Sequence, residues 1–232
     1  MPAAEEMRWL IPDSAAGPVR GRHVELSPFL VLFVCTGNIC RSPVAEQLFR
    51  AQADEVARDR FGWSDASAAL QVASAGVRAR DGDRMTSQAA KLSLQYGADP
   101  ASHASKRLTE RHLKEACLIL GATRGHRRDI VSMSPRALRV TFTITEFASL
   151  FDNLISDAAA VDAIRARADA AAFGTAVVAA VSARRGLVRP NHPSDDDVVD
   201  PYRRSQNRYN SVGTVLNDAI TSMKRNFESL LP

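Results

Sequence analysis

Six consecutive apolar residues, Phe29-Leu30-Val31-Leu32-Phe33-Val34, run directly into Cys35-Thr36-Gly37-Asn38-Ile39-Cys40-Arg41-Ser42 and then Pro43. No polar residue alternates with the apolar ones. A strand made from this run must be covered on both faces, which favours a sheet layered between helices. Pro43 suits the first turn of a helix, where its missing N–H costs nothing. The predicted unit is therefore strand, tight loop, helix. A loop in that position aims several backbone N–H groups, and the positive end of the helix dipole, at one small volume where an anion is stabilised.

The side chains of the loop supply the chemistry. Cys35 stands at its entrance, where N–H dipoles and a nearby guanidinium favour the nucleophilic thiolate. Arg41 is a permanently charged planar fork suited to two oxygens of a phosphoryl group. Ser42 offers a hydroxyl to the sulfur, Gly37 lets the backbone approach an anion closely, and Asn38 tolerates a left-handed conformation. A free cysteine is most often a packing residue, and Cys followed six positions later by Arg is weak evidence in an arginine-rich chain. The apolar strand before the loop, its Gly-Asn turn and the Ser-Pro after it outweigh that reading. The nucleotide-binding loops GxGxxG and GxxxxGK[ST] are absent here.

The remaining pattern alternates strands and helices. Helix is expected from Pro43 to about Arg60, from about Thr86 to Tyr96, from Thr109, and from Arg124 to Met133. Strands are expected at Leu70–Ser74, Cys117–Ala122 and Leu138–Phe142, and the stretches 144–155 and 158–184, the second alanine-rich, are expected to be helical. This order predicts an α/β fold, a four-stranded parallel sheet with helices on both faces. In such folds ligands bind at the carboxyl ends of the strands, where Cys35 would sit.

The stretch VLFVCTGNICRSPVAEQLF closely resembles the low-molecular-weight protein tyrosine phosphatase family, and the resemblance runs with gaps from about Phe29 to the C-terminus. It implies residues 1–28 as an N-terminal extension and 29–232 as the phosphatase domain, with a helical insert at about 150–195. It also implies Cys35 as nucleophile, Arg41 as phosphate ligand, and Thr36, Gly37, Asn38, Ile39, Cys40 and Ser42 as the rest of the phosphate-binding loop. The family's general acid is an Asp followed by Pro and an aromatic, which matches Asp200-Pro201-Tyr202 in DVVDPYRRS. A phenolate leaves far more easily when it receives a proton, and the same carboxylate can then activate water. Asp197 is the fallback acid. By the same resemblance Ser74 and His103 brace Asn38, and Tyr202 forms one wall of a slot for the phenyl ring. In the family, isoleucine after the loop Asn goes with phosphotyrosine and threonine with phosphoarginine; this chain has Ile39. Relatives also form a reversible disulfide within the loop, which gives Cys40 a redox role beside Cys35.

The implied substrate is a phosphotyrosine-containing protein, with no cofactor and no metal, since no HExxH or Cys/His cluster has metal spacing. Competing readings are a protein arginine phosphatase, an arsenate reductase of the same fold, and a catalytically idle phosphopeptide-binding module. Thioredoxin-coupled reductases need two further downstream cysteines, whereas only Cys117 follows the loop. The net charge of +4 and pI near 9.2 are mild. The arginines are spread out with no basic block interleaved with aromatics, so no nucleic-acid partner is expected. Three cysteines in 232 residues form no disulfide framework. The acidic start Met1-Pro-Ala-Ala-Glu-Glu is unlike a signal peptide, and the run from Ala170 to Ala183 is too short to span a membrane. A cytoplasmic, membrane-free protein is the expectation, with its oligomeric state open.

Overall fold

The computed structural model describes residues 29–61, 70–166 and 170–230, so the expected N-terminal extension lies outside the described residues. Four strands, β1 (Phe29–Cys35), β2 (Leu70–Gly76), β3 (Leu118–Gly121) and β4 (Thr141–Thr143), form one parallel sheet in the order β2-β1-β3-β4. Central β1 explains its uninterrupted apolar run. Val31 and Phe33 enter one core with Leu48, Phe147, Phe151, Leu216 and Ile220, while Leu32 and Val34 enter another with Leu108, Leu113, Ile119 and Ile130. Each fully buried side chain of this size contributes about 1.5–3 kcal/mol of transfer free energy.

Helices α1 (Arg41–Phe61), α5 (Ile144–Ile155) and α8 (Gln206–Leu230) cover the first face, and α3 (Glu110–Glu115) and α4 (Arg124–Met133) the second, with α2 (Ser87–Gln95) beside α1 and α8. Threonines start several of them. The hydroxyls of Thr86, Thr109, Thr123 and Thr143 accept the first-turn N–H of Ala89, His112, His126 and Glu146. Parallel pairing of Val34 with Gly121 then sets the start of α4 beside the loop that follows β1.

Four expectations need correcting. The first helix begins at Arg41, two residues before Pro43, because the anion loop and the first helical turn share residues. The expected strand at Leu138–Phe142 is instead a 3₁₀ turn over Pro135–Val140, and β4 starts only at Thr141. Pro135 lacks an N–H and Thr141 Oγ1 donates to Ala137 O at 2.7 Å, which closes the chain into a tight turn there. The stretch 158–184 is two helices, α6 (Ala158–Arg165) and α7 (Ala170–Ala183), because packing overrides the alanine preference for one continuous rod. Val161 and Ile164 from α6, and Phe173, Val177 and Val181 from α7, all enter the main core.

That packing decides what this segment does for the fold. A Cβ on Gly174 would lie 2.4 Å from the Phe29 ring, so the α7 backbone rests directly on the start of β1. Just beyond α7, Arg185 donates to Leu138 O at 2.9 Å and to Thr141 O, and its guanidinium lies 3.9 Å from the centre of the Phe142 ring. A cation thus sits against β4 at Thr141 O and the Phe142 ring. Cys117 stands just ahead of β3 and is half-buried, a correction to its expected place inside a buried strand.

Candidate active site

The loop leaves the carboxyl end of β1 and is built around Asn38, a buried residue with φ of 54°. Its side chain answers this conformation. Asn38 Nδ2 donates to Ser74 Oγ at 2.7 Å and to Ser42 Oγ at 3.0 Å, Oδ1 accepts the Lys106 N–H at 2.8 Å, and the carbonyl oxygen meets His103 Nε2 at 2.8 Å. Gly76 beneath the loop must be glycine, because a Cβ there would lie 2.6 Å from Thr36 O and 2.9 Å from Asn38 N. The strained residue is held from every side.

Hydrogen-bond direction runs through this cluster to the sulfur. The carboxylate of Glu46, held by Arg50 at 2.6 Å, can only accept, so the Ser74 hydroxyl donates to it and keeps a lone pair for Asn38. Ser42, having accepted from Asn38, donates to Cys35 Sγ at 3.0 Å, with Ala75 O a longer alternative at 3.3 Å. The Asn38 backbone N–H approaches the same sulfur at 3.3 Å. Two hydrogen-bond donors therefore converge on the Cys35 sulfur. Sequence reasoning missed Glu46, whose one signal was its place a turn into α1, beyond Ser42.

Arg41 is buried, with its side chain 5% exposed, and joins this loop to the one carrying Asp200. Nη1 donates to Val198 O at 3.0 Å, and Nη2 lies 3.1 Å from Asp200 Oδ2 and 3.5 Å from Thr36 Oγ1. Nε is buried with no partner among the described residues, a donor that an oxygen entering the loop would satisfy. The Asp200 loop is itself pinned, since the Val198 N–H reaches Ala122 O at 2.8 Å. Asp197 accepts the Arg124 N–H at 2.7 Å and its guanidinium at 2.9 Å. Burial opposes ionisation of Asp197, but the Arg124 hydrogen bonds prevail and hold the carboxyl below its usual range. Asp197 is a structural anchor, whereas Asp200 is left half-exposed beside Arg41.

Tyr202 is 45% exposed next to this carboxylate, its N–H 3.2 Å from Asp200 Oδ1 and its ring under the Arg203 guanidinium at 5.2 Å. Ile39 is half-buried against the main core. Cys40 is buried and turned toward α8, 3.4 Å from Tyr209 Oη and 3.5 Å from Thr86 Oγ1. Burial pushes the Cys40 thiol up, and burial with the Cys40 contact pushes Tyr209 up to about 12. His126, which sequence reasoning also missed, lies beneath the mouth with Nε2 2.9 Å from Thr36 Oγ1. Among the described residues no group of three or more His, Cys, Asp or Glu could hold a metal ion, and no helix is long and apolar enough to cross a membrane. A cleft of about 560 Å³ behind the acid loop, lined by Arg127, Glu146, Arg185 and Asp196 among others, contains none of these groups.

The family model described as "Low molecular weight phosphotyrosine protein phosphatase" matches residues 30–158, more than half of the chain. The chain belongs to that family. It is a phosphatase, and so a hydrolase. A protein-arginine-phosphatase of Geobacillus stearothermophilus is 36% identical over 130 residues, covering 56% of this chain and 78% of that protein. A probable low molecular weight protein-tyrosine-phosphatase of Ralstonia solanacearum, EpsP, is 31% identical over 116 residues, covering 50% of this chain and 70% of that one. The crystal structure of the low molecular weight protein tyrosine phosphatase from T. tengcongensis superposes with a TM-score of 0.57 at 28% identity, over 84% of this chain and 97% of its own. Asp200 lies beyond the matched stretch of this phosphatase, so its place in the site rests on the contact with Arg41.

Proposed function

We infer that this phosphatase hydrolyses phosphotyrosine in proteins through a phosphocysteine intermediate. The observation that carries the reading is the orphaned Nε–H of Arg41, buried in the loop that holds a hydroxyl-bonded sulfur and in the same guanidinium that meets Asp200. Phosphoryl oxygens take that N–H and the loop amides. Cys35 Sγ attacks phosphorus while the P–O bond to the phenol breaks, and the leaving oxygen takes the proton of Asp200. Water then attacks phosphorus and passes a proton to the Asp200 carboxylate. The S–P bond breaks, and the Ser42 hydroxyl stabilises the departing thiolate.

The preference for tyrosine rests on Ile39 and Tyr202. An apolar branched side chain in the loop suits the edge of an aromatic ring, and the exposed Tyr202 supplies a flat wall. Arginine phosphatase activity is the second reading, favoured by the name of the Geobacillus relative. In either case residues 29–232 form the catalytic domain, with α6 and α7 an insert bracing the sheet. Three unbonded cysteines suit a reducing, cytoplasmic setting. Initial rates on one peptide carrying either phosphotyrosine or phosphoarginine test the assignment. Tyrosine dephosphorylation at least tenfold faster is expected, and the reverse ranking would overturn it.

A further inference from the structure

His126 has no part in the chemistry above, yet it is among the few polar side chains fully enclosed by the site. It lies in the first turn of α4, 6% exposed, with Nδ1 2.8 Å from Thr123 Oγ1 and Nε2 2.9 Å from Thr36 Oγ1. The helix start is packed closely on β3, where a Cβ on Gly121 would lie 3.3 Å from the His126 Cβ. Burial, then the charge of Arg41, push the imidazole down to about 4, so at neutral pH it carries one N–H and one bare nitrogen.

Hydrogen-bond accounting selects which nitrogen holds the proton. Thr123 Oγ1 already accepts the His126 backbone N–H at 3.2 Å. If Nδ1 carried the proton, Thr123 would accept again and its own hydroxyl proton would lack a partner here. With the proton on Nε2, Thr123 donates to Nδ1 and Nε2–H donates to Thr36 Oγ1. Thr36 also receives Arg41 Nη2 at 3.5 Å, so its lone pairs are engaged and its own proton is directed elsewhere.

We propose that His126 is a positioning residue for phosphoryl binding: its Nε2–H fixes Thr36 Oγ1 as an acceptor for Arg41 and turns the Thr36 hydroxyl proton toward a bound phosphoryl oxygen. This rests on the phosphatase reading of the loop. Phosphorylated substrate then meets one more oriented donor, and Arg41 is held from a third side.

Glutamine and asparagine separate this role from a structural one. The glutamine amide nitrogen reaches where Nε2 stands, whereas asparagine reaches only as far as Nδ1 and keeps the local contact with Thr123. For para-nitrophenyl phosphate, His126→Asn is expected to lose roughly tenfold in kcat/KM and to weaken the calorimetric Kd for inorganic phosphate in the same direction. His126→Gln is expected to stay within about threefold of wild type, and adding His126→Asn to Thr36→Val is expected to cost less than about twofold more. The proposal is overturned if asparagine performs as well as glutamine, or if the losses from Thr36→Val and His126→Asn multiply in full. Absence of aryl phosphate turnover by the wild-type chain would overturn the hydrolase reading instead, and the phosphate Kd series would still judge His126.

Discussion

Asp200 Oδ2 occupies, at 3.1 Å from Arg41 Nη2, a position that a phosphoryl oxygen would claim. Acid and anion therefore compete for one guanidinium, while the buried Arg41 Nε–H is contested by neither Asp200 nor Val198. On the proposed mechanism, arrival of phosphate displaces the carboxylate toward the leaving group. Replacing Asp200 by alanine removes both the competitor and the acid. Turnover of phenyl phosphate is expected to fall roughly 10²–10⁴-fold, with a smaller loss for esters whose leaving group needs no proton. Inorganic phosphate is expected to inhibit the variant more tightly, and a weaker inhibition constant would contradict the competition.

Gly76→Ala places a methyl group against Thr36 O, Asn38 N and the Ala79 side chain, all within 2.9 Å. Two of these are backbone atoms of the anion loop, so the neighbours cannot rotate away. A loss of about 1–3 kcal/mol in stability is expected, together with near-complete loss of aryl phosphatase activity. Urea unfolding followed by fluorescence, paired with a rate assay, checks it. Wild-type rates in the variant would mean that the loop does not need this close approach.

Ser74→Ala leaves Glu46 without the hydroxyl that donates to it and leaves Asn38 Nδ2 with Ser42 alone. One lost hydrogen bond to a partly buried carboxylate is worth about 1–3 kcal/mol, so kcat/KM is expected to fall on the order of tenfold. Glu46→Gln tests the direction of bonding. An amide in that place can donate to Ser74 and turn the series around, so it is expected to lower kcat with little change in KM.

The buried His126 makes acid stability a further test. Its folded-state value of about 4 lies below the usual 6.5, depressed first by burial and then by Arg41. Between those values the unfolded chain binds a proton that the folded chain does not. Stability is thus lost as pH falls through this window, and over the whole interval from 6.5 to about 4 the loss is about 3 kcal/mol. Chemical denaturation at pH 7 and pH 4.5 is expected to show a shallower decline for His126→Gln than for wild type. Parallel slopes would mean that His126 does not titrate in this way.

Exchanging Ile39 for threonine is expected to move the ratio of phosphotyrosine to phosphoarginine rates toward arginine by roughly tenfold, since one pocket contact is worth about 1–3 kcal/mol of discrimination. Paired peptides read the ratio directly. No change would place the selectivity in Tyr202 or outside the loop.

What could be read from the chain was local. The apolar run of β1, the Gly-Asn turn and the serine and proline after it announce strand, anion loop and helix within fifteen residues. Ser74 and His103 came from family likeness, and the fold brings both to Asn38, Ser74 because Phe33 pairs with it across β1 and β2. His126 was illegible for the converse reason. Nothing near it in sequence marks it, and its contact with Thr36 arises from the register of β1 against β3, 90 residues apart. The 3₁₀ turn ahead of β4 was hidden too, because Leu138–Phe142 has strand-like composition while Pro135 and a threonine hydroxyl act from either end of the turn.

The guanidinium of Arg185, seated on Phe142 with hydrogen bonds to Leu138 O and Thr141 O, has a bearing on how the molecule meets other chains. A three-residue outer strand whose first carbonyl is already answered by a fixed cation is a poorer template for another strand. Two copies, or a misfolded neighbour, gain little by zipping onto that side. Crowded molecules of this phosphatase are thereby steered away from sheet extension, while the opposite end of the strands stays available to a phosphorylated segment.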